Sequence, residues 1–313
     1  MPAFDDHAML TELLPVVEKE LDRHYAAAEE WFPHQYVPWS EGRNYDGPFG
    51  GSPWAQEQSP LPPVVRTSLL VNLLTEDNLP SYHRELSARL GRDSAWGAWL
   101  HRWTAEEARH SVVIQDYLIV TRALDPVALE RARMRAVSTG FASEAQGVLG
   151  ALCYTTLQEL ATRIAHRNTG RLSGDPRCDR ILARVARDEN LHMVFYRNLL
   201  RAAFELAPDT AMRRLYETVR GFRMPGTAIG GFQRKALDIA EAGIYDLRIH
   251  LDEIVLPTLR RLGALECGDL GPEGRADQER LCELLERMDG FARRFEERRA
   301  GRNAALPAKA RQR

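Results

Sequence analysis

Trp103-Thr104-Ala105-Glu106-Glu107-Ala108-Arg109-His110 and Asp188-Glu189-Asn190-Leu191-His192 each contain a glutamate followed three residues later by a histidine. Each also has an outlying glutamate upstream: Glu76 lies 31 residues before Glu107, and Glu159 lies 30 before Glu189. The second set trails the first by 83 and 82 residues, so the two are almost in register. On an α-helix, residues i and i+3 share a face, so Glu107 with His110, and Glu189 with His192, aim at one point. A lone Glu-x-x-His is weak, because nine histidines in a glutamate-rich chain give roughly 0.7 such matches by chance. The matched offsets of the two extra glutamates carry the weight.

The flanking residues make all four segments helical. Trp96, Trp99, Trp103, Glu107, His110, Ile114 and Tyr117 recur every three or four positions, as do Ile181, Val185, Glu189, His192, Phe195 or Tyr196, and Leu199. Leu152, Thr156, Glu159 and Thr162 form an equivalent face, and Leu69, Leu73 and Leu79 accompany Glu76. A carboxylate on an apolar face must be compensated once buried, by a salt bridge or by a metal ion. Four such acids with two matched histidines favour metal, and form the ligand inventory of a dinuclear carboxylate-bridged site in a helical bundle. Carboxylate and imidazole ligands without thiolates suit iron or manganese. Six protein ligands over two ions leave positions open for dioxygen. Pro80 removes the N–H that would bond the Glu76 carbonyl, so the helix is expected to open beside that ligand.

Outward from the site, the spacing predicts a helix over 11–32 and an irregular Pro-, Gly- and Ser-rich connection over 33–63. From Val64 the apolar spacing is helical, with breaks at Gly91, Asp125-Pro126, Gly170 to Pro176, Pro208, Pro225-Gly226 and Gly268 to Pro272. Neither a βαβ unit nor a series of hairpins is visible, so the fold expected is an all-α, ferritin-like helical bundle with internally repeated Glu and Glu-x-x-His helix pairs, in a single domain over 1–313. The basic tail, from about Arg299, is expected to be disordered.

A formal charge of −2 argues against a globally basic nucleic-acid binder. Apolar runs fall short of the roughly 20 residues needed to cross a bilayer, and the opening Met1-Pro2-Ala3-Phe4-Asp5-Asp6 is unlike a signal peptide, so a cytoplasmic protein is expected. Cys153, Cys178, Cys267 and Cys282 are widely spaced and read as ordinary thiols.

Several stretches resemble the soluble acyl-acyl-carrier-protein desaturases, best known as the stearoyl desaturase of plant plastids. They are Leu74-Thr75-Glu76-Asp77-Asn78-Leu79-Pro80-Ser81-Tyr82, the Trp103–His110 stretch, Tyr154-Thr155-Thr156-Leu157-Gln158-Glu159-Leu160-Ala161-Thr162, His166-Arg167-Asn168-Thr169, the Asp188–His192 stretch, Met224-Pro225 and Phe295-Glu296-Glu297-Arg298. The resemblance covers nearly the whole chain, whose arginine-rich, lysine-poor style looks like that of an actinobacterial member. It implies two iron ions per chain held by Glu76, Glu107, His110, Glu159, Glu189 and His192. It places a hydroxyl for proton delivery on Thr162, and an electron route through a near-surface Trp31, Asp188 and His110. The implied activity is desaturation of an acyl chain on acyl carrier protein, with O2 and two electrons from ferredoxin or a similar donor, in a homodimer. The acidic carrier is expected to dock on arginines, with Arg213, Arg214, Arg220 and Arg223 as candidates.

The chain also departs from the plant pattern. The family's apolar substrate-channel positions fall on Glu85, Ala88 and Arg89, and Leu191 replaces an arginine. Three other readings of the same site remain open: a diiron hydroxylase or N-oxygenase, a desaturase-like protein that binds the carrier with little turnover, and iron storage of the ferritin kind. Ile114 in the turn after His110 argues against a radical-generating ribonucleotide reductase subunit, which tends to hold a tyrosine there.

Overall fold

The computed structural model describes residues 5–226 and 229–305. Its helices are α1 (Asp6–Ala27), α2 (Pro63–Glu76), α3 (Leu79–Leu90), α4 (Ser94–Val120), α5 (Pro126–Thr139), α6 (Gly147–Leu172), α7 (Pro176–Leu206), α8 (Pro208–Gly221), α9 (Phe232–Glu241) and α10 (Leu247–Ile249). A π-helical turn, His250–Val255, joins α10 to α11 (Leu256–Leu262), and α12 (Pro272–Ala305) follows. Among the described residues there is no β-strand, only an isolated bridge between Tyr45 and Ser52.

The breaks follow local chemistry. Pro126, Pro176 and Pro208 occupy first turns, where their missing N–H costs nothing. The carboxylates of Asp5, Asp125 and Asp175 cap free amides at the starts of α1, α5 and α7. Gly170 lies inside α6, and an added Cβ there would sit 2.9 Å from Asp179 Oδ1, so glycine lets α6 approach α7 closely.

Three boundaries differ from the sequence reading. Helix α1 begins at Asp6 and stops at Ala27, because the chain turns extended at Ala28 and carries Trp31 inward. Pro80 does not kink a continuous helix: α2 ends at Glu76 itself, and Pro80 sits in the first turn of α3. Helix α12 continues to Ala305, so the stretch expected to be disordered from Arg299 is helical that far, and residues 306–313 lie outside the described ones. The connection before α2, residues 33–62, is irregular, with three short 3-10 turns. Buried Arg122 fastens it, donating to Gln58 Oε1 at 2.8 Å, Ser52 O at 2.9 Å and Pro53 O at 3.0 Å, with its guanidinium 4.0 Å from the Tyr45 ring centroid.

Among the described residues two large apolar cores lie along the bundle, beside a small third one around Leu74, Ala136 and Ile229. One gathers Trp99, Trp103, Leu152, Leu157, Phe195 and Tyr196; the other gathers Leu69, Leu73, Ile114, Tyr117, Ile181 and Val185. Helices α4 and α7 run through both, α6 lines the first and α2 the second. Between the cores each helix presents its acids, so the bundle holds a polar layer sealed above and below by apolar packing.

Candidate metal centre

The structure brings Glu76, Glu107, His110, Glu159, Glu189 and His192 into that layer, all buried. They form two overlapping groups, Glu76–Glu107–His110–Glu189 and Glu107–Glu159–Glu189–His192, with the potential ligand atoms of each group within 4.8 Å of one another. Glu107 and Glu189 belong to both groups. Glu107 reaches each side with a different oxygen: Oε2 lies 3.4 Å from His110 Nδ1, and Oε1 lies 2.8 Å from His192 Nδ1. Glu76 Oε2 stands 3.7 Å from His110 Nδ1, and Glu159 Oε2 stands 3.5 Å from His192 Nδ1.

Burial in native proteins normally leaves polar atoms bonded. Here Glu107 Oε1, Glu159 Oε2, Glu189 Oε2, His110 Nδ1 and His192 Nδ1 are all buried without a hydrogen-bond partner. Five such atoms facing one space, all oxygen or imidazole nitrogen, fit a pair of hard or borderline divalent ions and suit iron or manganese.

The protonation pattern has the same origin. Burial pushes the Glu189 carboxyl well above the usual carboxylate range, and Glu107 and Glu159 push it further. Burial works against the charged forms of His110 and His192, yet Glu107 beside His110, and Glu106 and Glu107 beside His192, raise both imidazoles well above their ordinary value. Burial likewise opposes ionisation of Glu107, but the adjacent imidazoles of His110 and His192 outweigh it and hold that carboxyl low. Without a cation, protons on His110, His192 and Glu189 offset the charge of this layer; cations would take their place.

The imidazole nitrogens facing away from the acids are held by carboxylates from the opposite helix. His110 Nε2 lies 3.4 Å from Asp188 Oδ2 on α7, and His192 Nε2 lies 2.9 Å from Glu106 Oε2 on α4. Each carboxylate precedes one glutamate and serves the histidine of the other motif, which orients the ring as outer partners of metal-binding histidines do. Asp188 also accepts from Trp31 Nε1 at 2.8 Å and Arg109 Nη2 at 3.2 Å and pairs with Arg184. Burial raises the Asp188 carboxyl, but His110 and Arg184 outweigh it and hold it down at about 2. Trp31 lies nearly parallel to His110, with ring centroids 6.4 Å apart, under the guanidinium of Arg109. It is 3% exposed, a buried residue and not the near-surface one expected.

Three residues of this layer escaped the sequence reading. His24 on α1 lies 2.9 Å from Glu106 Oε2 and stacks on His192. Glu106 joins the two histidines, and His166 Nε2 lies 3.0 Å from Glu76 Oε1. The signal for His24 was its place after Leu13, Val17 and Leu21 on the buried face of α1. Thr162 is buried and donates to the carbonyls of Gln158 at 3.2 Å and Glu159 at 3.0 Å in its own helix.

A narrow cavity of about 40 Å³ opens beside Glu76, Glu107 and Glu189. Tyr82, Leu86, Trp103, Ala151, Tyr154, Thr155 and Pro225 wall it, and it also reaches Glu85 and Arg89. That pair is closed at 2.8 Å. A second groove, lined by Arg214, Arg220 and Arg223, shares Tyr154 with the cavity. Arg213 does not line this groove and is tied to Glu273 and Asp277 of α12. A third groove, with Arg163, Arg167, Arg171, Arg184 and Arg187, runs over α6 and α7 near Asp188. Among the described residues, no helix is long and apolar enough to cross a membrane.

An all-α bundle with paired carboxylate–histidine groups beside a largely apolar cavity defines a class of helical protein able to hold metal ions in its interior next to a cavity. Residues 5–311 match the family model described as fatty acid desaturase, and the chain belongs to that family. It is 45% identical over 299 residues to DesA1 of Mycobacterium tuberculosis, named as an acyl-carrier-protein desaturase, covering 93% of this chain and 88% of the relative. It is 32% identical to the chloroplastic palmitoyl-acyl-carrier-protein 4-desaturase 2 of Ophrys sphegodes, covering 76% of this chain and 68% of the relative. The X-ray structure of DesA2 from Mycobacterium tuberculosis superposes with a TM-score of 0.71 at 28% identity, over 86% of this chain and 99% of that one.

Proposed function

We propose that the chain is an acyl-carrier-protein desaturase that removes two hydrogens from a carrier-bound acyl chain, using two iron ions, O2 and two electrons. The observation that carries this reading is the pair of groups sharing Glu107 and Glu189, set against a cavity whose walls are mostly apolar. Bound iron would supply the activation of dioxygen.

The protein's own residues do the rest. Tyr82, Leu86, Trp103 and Ala151 hold methylenes against the carboxylate layer and exclude water. Asp188 and Glu106 fix the two imidazoles. Thr162 delivers protons by turning its hydroxyl from the Glu159 carbonyl toward the acids. Electrons enter along Trp31, Asp188 and His110, from a ferredoxin or similar acidic donor docked on the nearby arginine groove of α6 and α7. The acidic carrier docks at Arg214, Arg220 and Arg223, whose groove adjoins the cavity. The protein acts as a homodimer in the cytoplasm, on the precedent of the soluble desaturases it resembles.

The test is aerobic incubation of the iron-loaded protein with ferredoxin, its reductase and acyl carriers of several lengths, followed by mass spectrometry of the acyl chains. Products about two mass units lighter support desaturation; products about sixteen heavier make the chain a hydroxylase.

A further inference from the structure

The cavity beside the carboxylates and the groove of Arg214, Arg220 and Arg223 are separated by a wall one chain thick. Its residues, 141–146, join α5 to α6 without helix or strand. Ser143 faces the cavity, while Phe141, Ala142, Glu144, Ala145 and Gln146 face the groove. Glycines in the left-handed region bound the segment at both ends, Gly140 at φ 72° and Gly147 at φ 68°. Among the described residues, no backbone group of 141–145 pairs with another backbone group.

Side chains hold it instead, most of them from one helix, and within the segment the Ala145 amide donates to Ser143 Oγ at 3.1 Å. From α3, Arg84 Nη2 donates to the Phe141 carbonyl, Arg89 Nη2 to that of Ser143, and Arg89 Nε to that of Ala145, each at 3.3 Å. The Ser143 amide donates to Glu85 Oε2, also at 3.3 Å. Glu85 and Arg89 are fixed to each other at 2.8 Å and both line the cavity. On the other side Arg214 Nη1 donates to Gln146 Oε1 at 2.9 Å. A partly exposed ion pair with a few long hydrogen bonds is a modest restraint, weaker than the helical ladders around it.

We propose that residues 141–146 form a hinged gate between groove and cavity, latched by Glu85 and Arg89, beneath which the acyl chain of a docked carrier passes. The inference rests on the acyl-carrier reading above. A charged pair then stands where an apolar wall would serve a permanently open channel, because a latch must close on itself and release at small cost. Gly140 and Gly147 absorb the swing, and the ring of Tyr154, shared by both spaces, lies where they would join.

Hydrogen exchange tests it on the full chain. In Arg89→Met, and independently in the size-matched Glu85→Gln, the Ser143 and Ala145 amides should exchange at least about tenfold faster than in the parent, with α4, α6 and α7 unchanged. Unchanged exchange in both variants overturns the latch. In the parent protein, acylated carrier should speed exchange at these amides and unacylated carrier should not. Product formed while the segment stays as protected as in the free protein overturns the gate. If no acyl carrier yields product, the functional reading fails, and the variant comparison still decides the latch.

Discussion

Glu189→Gln should stabilise the metal-free protein while emptying the site. Glu107, Glu159 and Glu189 sit in one group whose ligand atoms lie within 4.8 Å. Two unit charges 4.8 Å apart repel by about 3 kcal/mol at an effective dielectric near 20. Glu189 faces these two and, in the other group, Glu76, partly offset by His166 at 3.6 Å and His110 at 3.7 Å. The net effect disfavours its charge, as its raised carboxyl shows. A glutamine of the same shape removes the penalty, so the gain is about 3 kcal/mol, or on the order of 5 °C in Tm. The folded protein holds the Glu189 proton more tightly than the unfolded chain. Any stability from that carboxyl is therefore present below its unfolded value of about 4.3 and is lost as pH rises. The advantage of glutamine should accordingly be small near pH 4 and grow toward pH 8. Because Glu189 belongs to both groups, the same variant should lose metal almost completely, whereas Glu76→Gln, touching one group, should keep about one ion per chain. The assays are scanning calorimetry of chelated protein across pH and metal analysis of the reconstituted variants. A metal-free Glu189→Gln that melts at or below the parent at pH 8, or that keeps the parent's metal content, would refute the reasoning.

Metal uptake should release protons, since His110, His192 and Glu189 hold them when no cation is present; calorimetry in buffers of different ionisation enthalpy should show that release, with affinity falling on acidification. Asp188→Asn should weaken metal binding by about 10–100-fold and slow reduction by the donor more than Trp31→Phe does, because it also unpairs Arg184; equal effects in stopped-flow reduction would count against Asp188 as the junction. Charge reversal at Arg171 and Arg187 should raise the KM for an acidic electron donor and flatten its salt dependence, leaving the KM for the carrier unchanged. The Glu85–Arg89 latch should loosen in acid: burial raises the Glu85 carboxyl, but Arg89 outweighs it and holds it low, so the stability it contributes is present above about pH 4.3 and lost as pH falls through its folded value. Exchange at Ser143, corrected for its intrinsic pH dependence, reads this directly.

Much of the centre was legible in the chain. Glu107 with His110 and Glu189 with His192 are local, because helical geometry fixes which residues share a face, and the apolar neighbours of each acid fixed which face is buried. The helix breaks were legible for the same reason, through Pro126, Pro176 and Pro208. The link from Asp188 to His110 came from the family resemblance; sequence could not show that Glu107 turns one oxygen to each histidine, that Glu106 crosses to serve His192, or that His24 and His166 join from other helices. Those depend on how the helices pack, which no local periodicity encodes. Trp31 read as near-surface but is buried, because α1 ends early and lets the chain turn inward. The cavity was foreshadowed only by the odd charges of Glu85 and Arg89. That they fasten 141–146 between two spaces is a property of packing alone, since partners more than fifty residues away are set by the bundle and leave no mark on neighbouring residues.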